Sequence, residues 1–182
     1  MKFTEKEIRL KDGRIAILRA PLPSDGAETA AFMRQTYGET SYLLLTPNEF
    51  RFTPEQEATF LQNSLDSETE MMILCTVGGK IAGNCNLCRN RRLKNHHRGS
   101  IGITLLKEYW GLGIGTALLT ELIQTAKAWG LEQLELRVME GNERAIGLYK
   151  KMGFVTCGAI PNSFRLSDGT MQKEIIMYCP IL

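Results

Sequence analysis

Two kinds of apolar pattern alternate along the chain and predict the order of its strands and helices. Short apolar or alternating runs predict strands at residues 8–10, 14–19, 71–77, 81–88, 100–106, 134–139 and 172–179, and residues 154–157 begin a further strand. Patterns at helical spacing predict helices near residues 24–36, 54–65, 117–128 and 143–152. The third helix has the strongest pattern, because its leucine, isoleucine and alanine side chains recur every three or four residues.

Turn and cap residues separate these segments. Asp12-Gly13, Gly78-Gly79 and Asp168-Gly169 are tight-turn pairs, so each predicts a hairpin between the strands on either side. Thr53-Pro54 predicts a helix start with proline in the first turn.

The helix predicted near residues 24–36 has a weaker apolar pattern than the other three. Ser24 and Asp25 are its candidate caps. Its predicted apolar side consists of Ala27, Ala30, Ala31 and Phe32, and a loop is expected over residues 38–47.

The order of elements predicts an α+β domain. A hairpin, two helices and an antiparallel pair come first, and a β-loop-α-β-α-β-β series follows. A parallel pair needs a crossover connection, which the helix at 117–128 supplies between the strands at 100–106 and 134–139. The expected sheet is therefore mixed and flanked by helices.

Composition narrows the functional classes. The 182 residues suit a single domain, 1–182, and the net charge of +2 gives no electrostatic case for nucleic acid or an anionic membrane. The charged start, residues 1–7, lacks the apolar run of a signal peptide, and no stretch approaches the length of a membrane span. A cytoplasmic protein with reduced thiols is expected.

Two of the five cysteines, Cys85 and Cys88, form a C-x-x-C pair followed by His96 and His97. A zinc site would need a second pair and turn residues between its ligands. Because an odd spacing on a strand sends side chains to opposite faces, we expect ordinary strand cysteines and no metal.

The candidate chemistry lies in a glycine-rich loop, residues 107–116, which leads directly into the third helix. Gly111, Gly113 and Gly115 leave the backbone almost bare, so amide N–H groups at the positive end of the helix can hold a phosphate or pyrophosphate. A Walker loop would end in Gly-Lys-Ser/Thr, which is absent. A dinucleotide loop would have a third glycine at Thr116, and although Glu135 lies at the spacing of its acidic residue, that loop normally follows the first strand of its domain.

The remaining match is to a family. Trp110-Gly-Leu-Gly-Ile-Gly115 resembles the pyrophosphate loop of the GNAT superfamily of acetyl-CoA-dependent N-acetyltransferases, with Trp110 where Gln or Arg is commonest. Residues 142–154 resemble the family's Asn-x-x-Ala-x-x-x-Tyr-x-x-x-Gly-Phe segment at every named position. The resemblance covers about residues 71–180. The tail around Asp168-Gly169 and Glu174 is weakly similar to the branch that acetylates ribosomal-protein N-termini, which often has Asp where Lys173 stands.

The resemblance implies a fold and a cofactor site. The strands at 100–106 and 134–139 would splay apart and admit the pantetheine arm of acetyl-CoA as a pseudo-strand. Residues 71–182 would form the acetyl-CoA-binding core, and residues 1–70 the variable acceptor side. The implied cofactor-binding residues are Thr104, Leu105 and Leu106 at the thioester, Leu112, Gly113, Ile114, Gly115, Thr116 and Ala117 at the pyrophosphate, and Asn142, Ala145 and Tyr149 on the helix beyond.

Catalytic roles follow from the same resemblance. The Tyr149 hydroxyl would donate a proton to the departing thiolate, and Asn142 would orient the cofactor, although Asn142 also suits a helix N-cap and Tyr149 also suits plain packing. Ser100 stands near the place where many members carry a glutamate base. His97 is therefore the substitute base, because histidine titrates near neutral pH, and a solvated loop histidine is the alternative.

The expected function is transfer of an acetyl group from acetyl-CoA to a primary amine by direct attack in a ternary complex, without a metal. The alternative is a non-catalytic acyl-CoA-binding domain or sensor. The acceptor is open between small amines, polyamines, aminoglycosides and peptide N-termini, and a homodimer is open as an assembly. Carboxylates at the acceptor entrance would favour a polycation, and the candidates are Glu39, Glu49, Glu55 and Glu57.

Overall fold

The computed structural model describes residues 3–181, which form one eight-stranded mixed sheet with four α-helices. The strands are β1 (Lys6–Arg9), β2 (Ile15–Arg19), β3 (Glu70–Val77), β4 (Lys80–Arg89), β5 (Arg98–Leu105), β6 (Gln133–Met139), β7 (Val155–Arg165) and β8 (Met171–Pro180). The helices are α1 (Gly26–Glu39), α2 (Pro54–Asp66), α3 (Ile114–Ala128) and α4 (Glu143–Lys151). The α+β prediction is confirmed.

The strand order is β1-β2-β3-β4-β5-β6-β8-β7. Neighbouring strands are antiparallel except β5 and β6, which are parallel and joined by α3 as the crossover rule required. Strands β7 and β8 form a hairpin. The second of them, β8, lies between β7 and β6 and so joins the hairpin to the rest of the sheet.

The parallel pair is joined at one end only. Its ladder runs from Arg98↔Gln133 to Ser100↔Glu135, whereas β5 keeps its partner β4 as far as Gly83↔Leu105. Beyond Ser100 the two parallel strands separate, which confirms the predicted splay. An ion pair between Arg98 and Glu135 holds the closed end, and the hydrogen bond from Arg98 keeps the pKa of the Glu135 carboxyl below its usual range.

The strongest helical pattern forms the centre of the core. Leu118, Leu119 and Leu122 of α3 are fully buried against one face of the sheet. The opposite face carries α1 and α2, as the contact between Asn84 of β4 and Met33 of α1 shows.

Helix α2 begins as the sequence indicated. Thr53 accepts the backbone N–H of Gln56, and the Gln56 side chain accepts the N–H of Thr53 in a reciprocal cap. No helix within residues 3–181 is long and apolar enough to cross a membrane.

Three details of the sequence interpretation are wrong. Helix α1 includes Gly38, and it buries Thr29 and Thr36 while Ala27 and Ala31 are exposed. Asp25 does not cap the helix through its side chain, because its carboxylate binds Arg19 at 2.7 and 2.8 Å.

Strand β7 begins where the sequence indicated and continues to Arg165. Its outer half is largely exposed and shows no apolar period, so the sequence pattern did not predict where it ends.

Candidate functional site: a cleft between two splayed strands

The splay opens a cleft of about 610 Å³, which we call the β5/β6 cleft. Residues 101–105 of β5 and 137–139 of β6 form its two sides. The glycine loop and α4 line a further part of the cleft, and residues 40 and 42–44, which follow α1, line the part beside the start of α4. Each part of the site therefore comes from a different segment of the chain.

The glycine loop presents free backbone donors to this cleft. Gly111 and Gly113 have φ of 80° and 103°, a region that favours glycine, and Gly113 is the N-cap of α3. The first intrahelical bond runs from the Ala117 N–H to the Gly113 carbonyl at 3.1 Å. The N–H groups of residues 113–116 have no intrahelical acceptor and lie at the positive end of the helix dipole. The Ala117 amide, predicted to bind pyrophosphate, is thus already used.

Close packing and one backbone hydrogen bond hold the glycine loop in position. A Cβ on Gly115 would come within 2.8 Å of a Leu148 methyl carbon, so glycine lets α4 approach closely. Ile114 is fully buried, and Leu112 uses its carbonyl to accept the Lys11 N–H at 3.1 Å. Both residues can therefore contribute backbone N–H groups only.

Trp110 replaces the polar residue that is commonest at its position and takes a structural role. Its indole Nε1 donates to the Leu105 carbonyl at 3.0 Å, which ties the loop to the end of β5. The Arg144 guanidinium lies 5.2 Å from the centre of the indole ring. Arg144 and Lys11 both line the cleft beside the loop, and neither was among the predicted site residues.

The backbone of β5 divides its hydrogen-bonding groups between β4 and the cleft. Leu106 donates to Ala82 at 3.0 Å, and Arg98 accepts from Asn90 at 3.0 Å, so even-numbered residues turn towards β4. Ile103 and Leu105 therefore direct their N–H groups into the gap. The predicted thioester donors need correcting, because only Leu105 of the original three faces the cleft through its amide.

Helix α4 places Asn142, Ala145 and Tyr149 on the cleft. Asn142 is the N-cap, and its side-chain oxygen accepts the Ala145 N–H at 3.3 Å. Tyr149 is 7% exposed, and its ring centre lies 5.9 Å from that of Phe154. Burial raises the pKa of Tyr149 to about 12, so the phenol keeps its proton over the physiological range.

His97 lies away from these residues. Its carbonyl accepts the Glu132 N–H at 2.8 Å, which places it at the closed end of the β5–β6 pair, and it does not line the cleft. Because the strands open only beyond Ser100, a side chain that precedes β5 cannot reach the gap. We do not retain His97 as the base.

The acceptor end is built from segments without a recognisable motif. Tyr42 donates its hydroxyl to the Gly141 carbonyl at 2.9 Å, which holds residues 40–44 against the start of α4. Opposite them, Arg137 of β6 binds Glu174 of β8 at 2.7 Å. No motif in residues 40–44 indicates the first contact, and the pairing of β6 with β8 creates the second.

The four glutamates considered for a polycation lie elsewhere, since none of them lines the cleft. Glu39 accepts the Lys107 N–H at 2.6 Å, and Glu49 binds the Thr46 N–H at 2.8 Å. Glu57 is 4% exposed, and burial raises the pKa of its carboxyl. Glu55 lies exposed in the first turn of α2.

Cys85 and Cys88 follow the strand geometry expected for an odd spacing. Cys85 lies opposite Ile103 and is buried, whereas Cys88 lies opposite Ser100 and is partly exposed. Within residues 3–181, no three His, Cys, Asp or Glu side chains are grouped closely enough to hold a metal ion.

Known proteins share these features. The profile of the acetyltransferase (GNAT) family matches residues 37–154. A crystal structure of a GNAT-family acetyltransferase from Streptococcus pneumoniae is 32% identical, with a TM-score of 0.86 over 91% of this chain and 99% of that chain.

Two curated relatives match the chain over shorter stretches. The L-amino acid N-acetyltransferase AaaT of Escherichia coli is 28% identical over 47% of this chain and 52% of its own length. The [ribosomal protein bS18]-alanine N-acetyltransferase of Haemophilus influenzae is 34% identical over 42% of this chain and 52% of its own length. The matched part spans about half of each relative. The profile covers most of the chain and the fold is retained almost throughout, so the chain belongs to the GNAT acetyltransferase family.

Proposed function

We propose that this protein transfers an acetyl group from acetyl-CoA to a primary amine by direct attack in a ternary complex. The observation that carries the proposal is the β5/β6 cleft, which combines gap-facing strand amides with a phosphate-binding helix start. The two curated relatives act on an amino acid and on a protein alanine by their names, and both acceptors carry an amine.

The backbone of this chain suits each part of acetyl-CoA. The free N–H groups of residues 113–116 would bind the pyrophosphate, and Lys11 and Arg144 would add positive charge beside it. The N–H groups of Ile103 and Leu105 would bind the arm, one of them at the thioester carbonyl. These assignments move the predicted contacts from Thr104, Leu106 and Ala117 to neighbouring amides.

The proposed reaction requires only two proton transfers from or to groups beside the thioester. The amine nitrogen forms a bond to the acetyl carbon as the carbon–sulfur bond breaks, and one proton must leave the nitrogen while one reaches the sulfur. Tyr149, which lines the cleft, would donate to the sulfur, and its raised pKa keeps the donor protonated. We assign the nitrogen proton to water in the open cleft, because Ser100 supplies no carboxylate.

The rest of the chain has a simpler role in this proposal. Residues 71–182 bind acetyl-CoA, and the segment before them shapes the acceptor side through residues 40–44. A cytoplasmic location would match the five free cysteines of the structure, and a homodimer is compatible with the proposal.

The experiment is thiol release from acetyl-CoA against a panel of amines, with mass spectrometry of the product. Saturable release together with an amine product heavier by one acetyl group is the expected result. Saturable acetyl-CoA binding without release on any amine would instead favour the non-catalytic sensor.

A further inference from the structure

We infer that the acceptor is a free amino acid or a related amino-carboxylate with an apolar side chain, and that Arg137 binds its carboxylate. The inference rests on the proposed acetyl transfer and specifies its substrate class. Its basis is the Arg137–Glu174 pair, which lies in the cleft and takes no part in holding the cofactor phosphates.

Arg137 lies beside the reacting end of the cleft. The last pair of the parallel ladder is Ser100↔Glu135, so two residues further along, Arg137 lies across the gap from Gly102. Gly102 is next to Ile103, whose N–H faces the gap. The phosphate-binding loop begins beyond Leu105, about 10 Å away along the strand, so the guanidinium is too far to serve the phosphates.

The face of the sheet is also correct for an acceptor. Side chains of β6 alternate between faces, and Leu136 and Val138 are buried while the Arg137 side chain is 62% exposed. Arg137 shares the face of its ladder neighbours Glu135 and Ser100, which is the face that carries α1 and the segment beyond it.

Glu174 prepares Arg137 to bind a carboxylate. Its side chain is only 17% exposed and accepts from one terminal nitrogen of Arg137, Nη1, at 2.7 Å. A guanidinium has five N–H donors, so one contact fixes its plane and leaves donors for a second, bidentate carboxylate. The other carboxylate oxygen of Glu174 would accept from the amine of the same acceptor.

The charge of the cleft argues against a polycation. The side chains that line it within residues 3–181 include one carboxylate, that of Glu174, and Arg137 already pairs with it. A polyamine or aminoglycoside would lose hydration at several ammonium groups and gain one paired carboxylate. A zwitterionic amino acid has one ammonium and one carboxylate, which can bind Glu174 and Arg137 respectively.

The apolar requirement comes from residues 40–44 and β7. Leu44 is 76% exposed although it lines the cleft, and Tyr42, Leu43 and Phe164 line the same end. An aliphatic or thioether side chain on the acceptor would cover this surface, and each buried methylene would contribute about 0.8 kcal/mol. The site thus offers a cation, a carboxylate and an apolar wall, which match the three substituents of such an amino acid.

The test compares four acceptors that differ in one group each: L-methionine, L-methioninamide, 3-(methylthio)propylamine and the dipeptide Met-Ala. Expected kcat/KM for L-methionine exceeds that for the amide and the amine by at least about thirtyfold, because both lack the carboxylate. Turnover of the amide, amine or dipeptide at or above the rate for methionine would overturn the inference and leave acetyl transfer standing. Saturable acetyl-CoA binding with no thiol release on any amine would overturn the proposed function and this inference together.

Variants at Arg137 provide the second readout. Arg137→Gln should raise KM for L-methionine about ten- to a hundredfold while acetyl-CoA affinity is kept, and Arg137→Lys should restore only part of the loss, because lysine lacks the planar fork. Arg165→Gln is the matched control, since Arg165 is exposed on β7 and does not line the cleft. A KM for L-methionine that is unchanged in folded Arg137→Gln, or raised equally in Arg165→Gln, would overturn the assignment.

Discussion

Alanine at Gly113 should separate the stability of the glycine loop from its role in binding. Gly113 has φ of 103°, so any L-residue there is strained by about 1–2 kcal/mol. For a chain of this size the melting temperature should fall by about 2–8 °C. A Cβ at this position meets no protein atom within 4 Å among the described residues, and Gly113 itself lines the cleft. It would occupy space that the pyrophosphate needs, and acetyl-CoA affinity should fall at least about tenfold, or 1.4 kcal/mol.

Gly130 at the far end of α3 supplies the matched control. It has φ of 68°, and a Cβ there also meets nothing within 4 Å in the described part of the chain. Gly130→Ala should lower the melting temperature by a similar amount and leave the affinity for acetyl-CoA unchanged. Calorimetry and melting curves on both variants are the assay. Normal acetyl-CoA binding by folded Gly113→Ala, or equal weakening in Gly130→Ala, would refute the reasoning.

Three further predictions concern single side chains. Tyr149→Phe should lower kcat by roughly ten- to a thousandfold with little change in melting temperature or acetyl-CoA affinity, and wild-type turnover in steady-state kinetics would show that the hydroxyl is idle. Exposed Cys157 should react first with a thiol reagent, whereas Cys75, whose pKa burial raises to about 12, should react only on unfolding; mass spectrometry of partly labelled protein would show the order. Desolvation of the Asp25 carboxyl is outweighed by hydrogen bonds, led by that from Arg19, so the pKa of Asp25 is lowered in the folded state. The stability that the ionised Asp25 contributes is therefore present above the ordinary carboxyl pKa and is lost as pH falls through the folded value. Asp25→Asn should therefore melt lower than wild type at pH 7 and lose less on acidification, and equal losses in the two proteins would contradict this account.

Strong local signals made much of the fold predictable from sequence. Continuous apolar runs identified the strands, and the spacing of Leu118, Leu119 and Leu122 identified the helix that crosses between the parallel pair. These patterns report burial directly, because a strand in the centre of a sheet and a helix against it both need apolar faces.

Helix α1 shows why a polar residue type can mislead. Thr36 is 2% exposed, and its hydroxyl donates to the Phe32 carbonyl at 2.7 Å within the same helix. A threonine satisfied in this way can be buried, although sequence reasoning treats it as polar.

The site was predictable only where backbone geometry determines it. Gly113 was indicated by the glycine loop before a helix, whereas Tyr149 was indicated by the family resemblance of residues 142–154, and both line the cleft. The direction of each amide depends on strand register, so Leu105 could not be distinguished from Leu106 beforehand. Arg137 and Glu174 are 37 residues apart and meet only through pairing of β6 with β8, which leaves no short-range signal.

Acetyl-CoA that binds in the splay should pair with β5, and residue-resolved amide exchange measures that pairing. The amides of Ile103, Leu105 and residues 113–116 should exchange at least about tenfold more slowly once acetyl-CoA saturates the protein, because each gains an acceptor. Thr104 and Leu106 are the internal controls, since their backbone groups already face β4, and their exchange should change much less. Saturation with acetyl-CoA that left Ile103 and Leu105 exchanging at their original rates would contradict the account.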